Sequence, residues 1–83
     1  MVLLIIADDF TGALDTGVQF AARGIKTRVV VGADAALTHQ NADVLVVDTE
    51  TRHLPAAQAY AAVEGLVQRA KYAGFAYLYK KTD

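Results

Sequence analysis

Val2-Leu3-Leu4-Ile5-Ile6-Ala7, followed at once by Asp8-Asp9-Phe10-Thr11-Gly12, decides the fold. The apolar run is continuous rather than alternating, rich in branched side chains, and ends on polar residues and a glycine. That is the pattern of a strand buried on both faces, as in a parallel sheet. From Gly12 to Arg23 the period becomes helical. Leu14, Val18, Ala21 and Ala22 fall on one face and Asp15, Gln19 and Arg23 on the opposite one. Thr11 is placed to cap this helix, and Gly24 stands where a left-handed residue closes it. Lys26 to Val31 reads as a second strand, 33–42 as a loop with one or two helical turns, and Val44 to Val47 as a third strand. Pro55 suits the first position of a second helix. Ala59, Val63, Leu66, Val67 and Ala70 form its apolar stripe, with Gln58, Gln68 and Lys71 outward, and Gly74 ends it. Phe75 to Tyr79 is a fourth strand.

Strands that alternate with helices predict an α/β fold, a three-layer, Rossmann-like or flavodoxin-like parallel sheet. With about four strands and two to three helices the sheet is incomplete. A strand followed only by Lys80-Lys81-Thr82-Asp83 lacks a covering helix, so a fragment of a longer protein is expected.

Composition narrows the function classes. The 83 residues are 54% hydrophobic and 20% charged, which excludes intrinsic disorder. A chain this short makes one domain at most, burying roughly 60% of its unfolded surface. Eight basic against nine acidic residues give no basic surface for nucleic acid. The absence of cysteine excludes a disulfide scaffold, a thiolate zinc site and a cysteine nucleophile. The longest apolar run is far short of the roughly 20 residues that span a membrane. With no basic residue before it and two aspartates after it, that run is not a signal peptide either. A cytoplasmic protein is expected.

In an open parallel sheet, ligands bind beyond the carboxyl ends of the strands. The first strand delivers Asp8 to Gly12, the second Gly32-Ala33-Asp34, the third Asp48-Thr49-Glu50-Thr51-Arg52-His53, and the fourth Lys80 to Asp83. This mixed-charge set suits a small anionic polyol. Arg52 can grip a carboxylate bidentately, backbone N–H groups at Gly12 and Ala13 favour an anion, and the aspartates accept hydrogen bonds from hydroxyls or take a proton. The blander readings are an N-cap for Asp8 or Asp9, a turn former for Asp48, and solvated charges for Arg52, Lys80 and Lys81. His39 and His53 lack partners at metal-ligand spacing, and no metal site is expected. Tyr60, Tyr72, Tyr77 and Tyr79 read as core or rim. Neither G-x-x-x-x-G-K-[ST] nor G-x-G-x-x-G occurs, so any nucleotide site lies outside these residues.

Three blocks together resemble a known family. Ile6-Ala7-Asp8-Asp9-Phe10-Thr11-Gly12-Ala13-Leu14-Asp15-Thr16-Gly17 is similar to the N-terminal signature of the four-carbon acid sugar kinases. Val47-Asp48-Thr49-Glu50-Thr51-Arg52-His53-Leu54 resembles that family's D-T-E-S/T-R block. Tyr79-Lys80-Lys81-Thr82-Asp83 resembles the start of its K-K-T-D-S-x-L-R-G-N block. The resemblance runs over essentially the whole chain. It implies that residues 1–83 are a sugar-acid-binding N-terminal domain from a two-domain kinase. Such an enzyme phosphorylates the terminal hydroxyl of threonate, erythronate or their 3-oxo relatives. ATP with Mg²⁺ would then belong to a C-terminal domain, and this chain alone would be inactive.

Carried over, the substrate contacts are Asp8, Asp9, Thr11, Gly12, Arg52, Lys80, Lys81, Thr82 and Asp83, with Asp9 or Asp8 as the catalytic carboxylate. The expected partner is a small sugar acid, with no nucleic acid or membrane, and a homo-oligomer is allowed. The alternative of another class is a phospho-acceptor receiver domain, whose acidic pair, acceptor and lysine are mimicked by Asp8, Asp9, Asp48 and Lys81. It lacks the M-P turn expected after the acceptor. A structural α/β module without a site is the third reading.

Overall fold

The computed structural model describes residues 3–32, 37 and 42–81. Strand β1 (Leu3–Ala7) leads into helix α1 (Phe10–Ala22) and strand β2 (Thr27–Val31). Strand β3 (Val44–Asp48), helix α2 (Ala56–Ala73) and strand β4 (Tyr77–Lys81) complete the order. All strands run parallel in the order β2-β3-β1-β4, with Ile5 opposite Val46 and Tyr79, and Val46 opposite Val29. The expected three-layer α/β arrangement is therefore present.

Burial follows from that order. The two central strands, β1 and β3, have neighbours on both sides and a helix on each face, so Leu4 to Ala7 and Val44 to Asp48 are all buried. Alternate side chains divide between two cores. Leu4, Ile6, Leu45 and Val47 meet Leu66 and Ala70 of α2. Ile5, Ala7, Val44 and Val46 meet Ala13 of α1, flanked by Phe20, Ile25 and Val29. Of the stripe expected on α2, Val63, Leu66, Val67 and Ala70 pack against the sheet. The helix starts one residue later than expected, with Pro55 at its cap, and Gly74 ends it at φ 85°.

Two elements differ from the sequence reading. On α1 the buried residues are Ala13 and Gly17, whereas Leu14 and Val18 are 45% and 57% exposed. The reason is proximity. A Cβ on Gly17 would stand 2.6 Å from Val29 Cγ2, so small residues let the helix backbone settle onto the sheet. The helix also begins earlier, and its N-cap is Asp9 rather than Thr11. Strand β4 is shifted to Tyr77–Lys81, which places Lys80 and Lys81 inside the strand instead of beyond it. Register with β1 fixes this, since Leu3 pairs with Tyr77 and Ala7 with Lys81. Tyr60, Tyr72, Tyr77 and Tyr79 all lie on the surface and none is core. The helical turns expected within 33–42 fall outside the described residues apart from Leu37 and Ala42, as do Asp34, His39, Thr82 and Asp83. Among the described residues no helix is long and apolar enough to cross a membrane.

Candidate functional site

The sheet order creates a crevice at one place. The chain leaves β1 through α1 toward β2, and leaves β3 through α2 toward β4 on the other side of β1. Adjacent strands whose connections depart in opposite directions form the switch point at which open α/β sheets bind ligands. Here those strands are β1 and β3. Their carboxyl ends present Asp8-Asp9 and the loop Thr49-Glu50-Thr51-Arg52.

Backbone hydrogen bonds stitch the two ends together. The Ala7 carbonyl accepts from Thr49 N at 2.9 Å, and the Asp8 carbonyl from Thr51 N at 2.9 Å and Arg52 N at 3.1 Å. Thr49 Oγ1 also reaches the Ala7 carbonyl at 3.1 Å and meets Thr51 Oγ1 at 2.7 Å, both hydroxyls being buried. Asp48, fully buried, accepts from Glu50 N through Oδ1 at 2.9 Å. This is a side-chain turn that sends the chain sharply out of the strand. Glu50 is left at φ 54°, a left-handed conformation that non-glycine residues adopt at a cost. The turn-former reading of Asp48 thus holds.

The side chains that resulted are close. Asp9 Oδ2 lies 2.7 Å from an Arg52 guanidinium nitrogen, and Asp8 Oδ1 lies 3.5 Å from its other terminal nitrogen. All three are partly exposed, open to an incoming molecule. Asp9 uses its other oxygen, Oδ1, to cap α1 by accepting from Gly12 N at 2.8 Å. Ala13 N bonds the Asp9 carbonyl at 3.1 Å. The N–H groups of Gly12 and Ala13, expected to be open to an anion, are consequently taken within the turn. Gly12 serves the cap instead, since a Cβ there would stand 2.9 Å from Asp9 Oδ1. Thr11 is exposed at the start of α1.

Lys80 and Lys81 do not act as a pair, because neighbours on a strand point to opposite faces. Lys81 falls on the α1 side. With Asp15, Thr16 and Gln19 of α1 and Tyr79 it lines a groove of about 570 Å³, floored by Leu3, Ile5 and Phe20. That groove lies toward β4, whereas Arg52 lies toward β3. The two regions meet at the end of β1, where Lys81 is level with Ala7. The bracing by Thr49, Glu50 and Thr51 escaped the sequence reading, although these residues were visible as a polar run after an apolar strand. His53 is exposed.

The described residues do not fit a nucleotide or its metal. The helix N-terminal donors at Gly12 and Ala13 are occupied, and no group of three or more histidine, cysteine, aspartate or glutamate residues converges among the described residues.

A family model described as a sugar-binding N-terminal domain matches residues 3–83. The chain belongs to that family. A D-threonate kinase of Salmonella typhimurium is 51% identical over 63 residues, 76% of this chain and 15% of the relative. A D-threonate kinase of Bordetella bronchiseptica is 48% identical, covering 95% of this chain and 20% of the relative. A 3-oxo-tetronate kinase of Burkholderia multivorans is 41% identical over 56 residues, 68% of this chain and 13% of the relative. The relatives are thus four-carbon acid sugar kinases, and the chain spans a fifth or less of their length. A crystal structure of a domain of unknown function from Bordetella bronchiseptica, a domain-swapped dimer with bound citrate, matches with a TM-score of 0.88 at 44% identity. The match covers all of this chain and 22% of that one.

Proposed function

We propose that this chain is the sugar-acid-binding part of an ATP-dependent kinase that phosphorylates the terminal hydroxyl of a four-carbon sugar acid such as threonate. The observation that carries the reading is the guanidinium of Arg52 held against Asp8 and Asp9 at the switch point. A sugar acid offers a carboxylate at one end and hydroxyls along its length. Arg52, braced by Asp9, reads the carboxylate. Asp8, in the looser contact with Arg52, keeps acceptor capacity for a hydroxyl. Lys81, level with Ala7, stands on the α1 side to balance anionic charge, and Lys80 precedes it on β4; Thr82 and Asp83, next in the sequence, are assigned to the same contact set. Phosphoryl transfer depends on such positioning and charge neutralisation more than on covalent chemistry. ATP and Mg²⁺ are assigned to another part of the longer protein.

Three further observations support this reading. The relatives of this chain are threonate and 3-oxo-tetronate kinases. The structural neighbour holds citrate, a hydroxy acid, and is dimeric, which favours a homo-oligomer here too. A receiver domain is disfavoured because its phospho-acceptor must meet solvent, while Asp48 is fully buried.

The test is calorimetric titration of D-threonate into the full-length protein and its variants. Removing one partner of a desolvated charge pair costs about 2–5 kcal/mol, against roughly 0–1 kcal/mol for an exposed pair. Arg52→Ala should therefore weaken threonate more than tenfold. Arg52→Lys should recover only part of the loss, because an ammonium lacks the bidentate fork. Erythritol, which has no carboxylate, should bind poorly and be indifferent to the change. Equal threonate affinity in wild type and Arg52→Ala would return Arg52 to a structural role.

A further inference from the structure

Among the described residues, Asp48 is the only fully buried ionisable side chain, and its second oxygen, Oδ2, has no hydrogen-bond donor. A buried carboxylate oxygen left in that state is costly. The side chain of Glu50 comes within hydrogen-bonding reach of the Asp48 carboxyl. Two ionised carboxyls have no donor to offer each other, but one proton between them turns the contact into a hydrogen bond. Glu50 already gives its backbone N–H to Asp48 Oδ1, so a shared proton would tie it to Asp48 twice. That double hold would keep Glu50 at its φ of 54°. Thr51 and Arg52 follow directly, with their N–H groups on the Asp8 carbonyl.

We propose that Asp48 and Glu50 share a single proton, and that this carboxyl pair is a positioning element for Arg52, so that sugar-acid binding weakens when the proton leaves for water. The proposal rests on Arg52 being the sugar-acid ligand. The surroundings agree with it. The contact with Asp48 raises the Glu50 pKa most, followed by Asp48's charge, burial and the charge of Asp9 at the start of α1, while His53 on the same loop opposes the shift. Asp8 and Arg52 are paired to each other at the loop's edge. Strand β2 adds a neutral contact, Gly32 N on the Asp48 carbonyl at 2.7 Å.

The experiment measures D-threonate affinity of the full-length protein from about pH 5 to about pH 8, a window in which a sugar-acid carboxylate stays ionised. Wild type should weaken about fivefold or more as pH rises, with proton uptake on binding where the affinity falls most steeply. Glu50→Gln, which carries a permanent donor, should bind as wild type does at low pH and show a flat profile without proton uptake. His53→Gln, which removes the imidazole that opposes the Glu50 shift, should keep the slope. A uniform loss in Glu50→Gln with the slope retained would mean a merely structural residue and overturn the proposal. A flat wild-type profile would do the same.

Urea unfolding against pH reads the pair without ligand. Wild type should lose stability relative to Glu50→Gln as pH climbs, and parallel curves would overturn the shared proton. If the unfolding curves diverge but threonate binds at no pH, the sugar-acid reading fails and the pair stands. If Arg52→Ala weakens threonate at every pH while Glu50→Gln changes nothing, the proposal fails and the sugar-acid reading stands.

Discussion

Asp9 performs two tasks with two oxygens, and substitution separates them. Oδ1 caps α1 and Oδ2 holds Arg52. Asn caps nearly as well as Asp but carries no charge. Asp9→Asn should therefore keep most of the stability of the full-length protein in urea while weakening threonate severalfold. Asp9→Ala should lose about 1 kcal/mol more in the same unfolding measurement, the usual worth of a cap. Equal stability of the two variants would show that Gly12 N finds another acceptor. Glu50 adds a pH term whose sign follows from its raised pKa. A carboxyl that holds its proton longer folded than unfolded favours the fold on the acid side, and loses that contribution as pH rises through the folded pKa. Glu50→Gln should remove the slope.

At the scale of elements, two helical glycines with different surroundings predict opposite outcomes. Gly17 faces Val29, and an added Cβ at 2.6 Å from Cγ2 would force α1 off the sheet. Gly17→Ala should destabilise by about 1–3 kcal/mol, the usual cost of overpacking. Because α1 also carries the Asp9 cap, threonate affinity should fall with it. Gly65, within α2, has nothing within 4 Å of an added Cβ. Gly65→Ala should stabilise by about 0.5–1 kcal/mol through helix propensity, with affinity unchanged. Chemical denaturation of both variants checks the pair.

Over the whole molecule, stability concentrates in the two cores that sandwich β1 and β3. Leu66 is the fully buried leucine that α2 contributes. Leu66→Ala should cost about 2–5 kcal/mol, measured by urea unfolding. By contrast, Tyr77, Leu78 and Tyr79 on β4, with Leu14 and Val18 on α1, are exposed apolar surface beside a strand that ends the described sheet. Produced by itself, the 83-residue chain should self-associate at micromolar concentration. It should also show no phosphorylation of threonate, because its described residues form no nucleotide site. Turnover by the purified chain would refute that assignment.

Local chemistry made much of this protein readable without coordinates. Continuous apolar runs marked β1 and β3, and the helical period marked α2. Gly24 and Gly74 marked the helix ends, where positive φ is needed. The blocks around Asp8, Arg52 and Lys80 are local patterns too, and they were enough to indicate the family. What the sequence left open depends on contacts between distant residues. The meeting of Asp8 with Arg52, 44 positions apart, follows from β1 pairing with β3, and no local pattern encodes that pairing. The buried face of α1 was decided by how closely the helix approaches Val29, which favours Ala13 and Gly17 over the more apolar Leu14 and Val18. Lys80 and Lys81 were separated by strand register, since the alternation of side chains sends neighbours to opposite faces. Periodicity reports which residues prefer to be buried, and only packing determines what they are buried against.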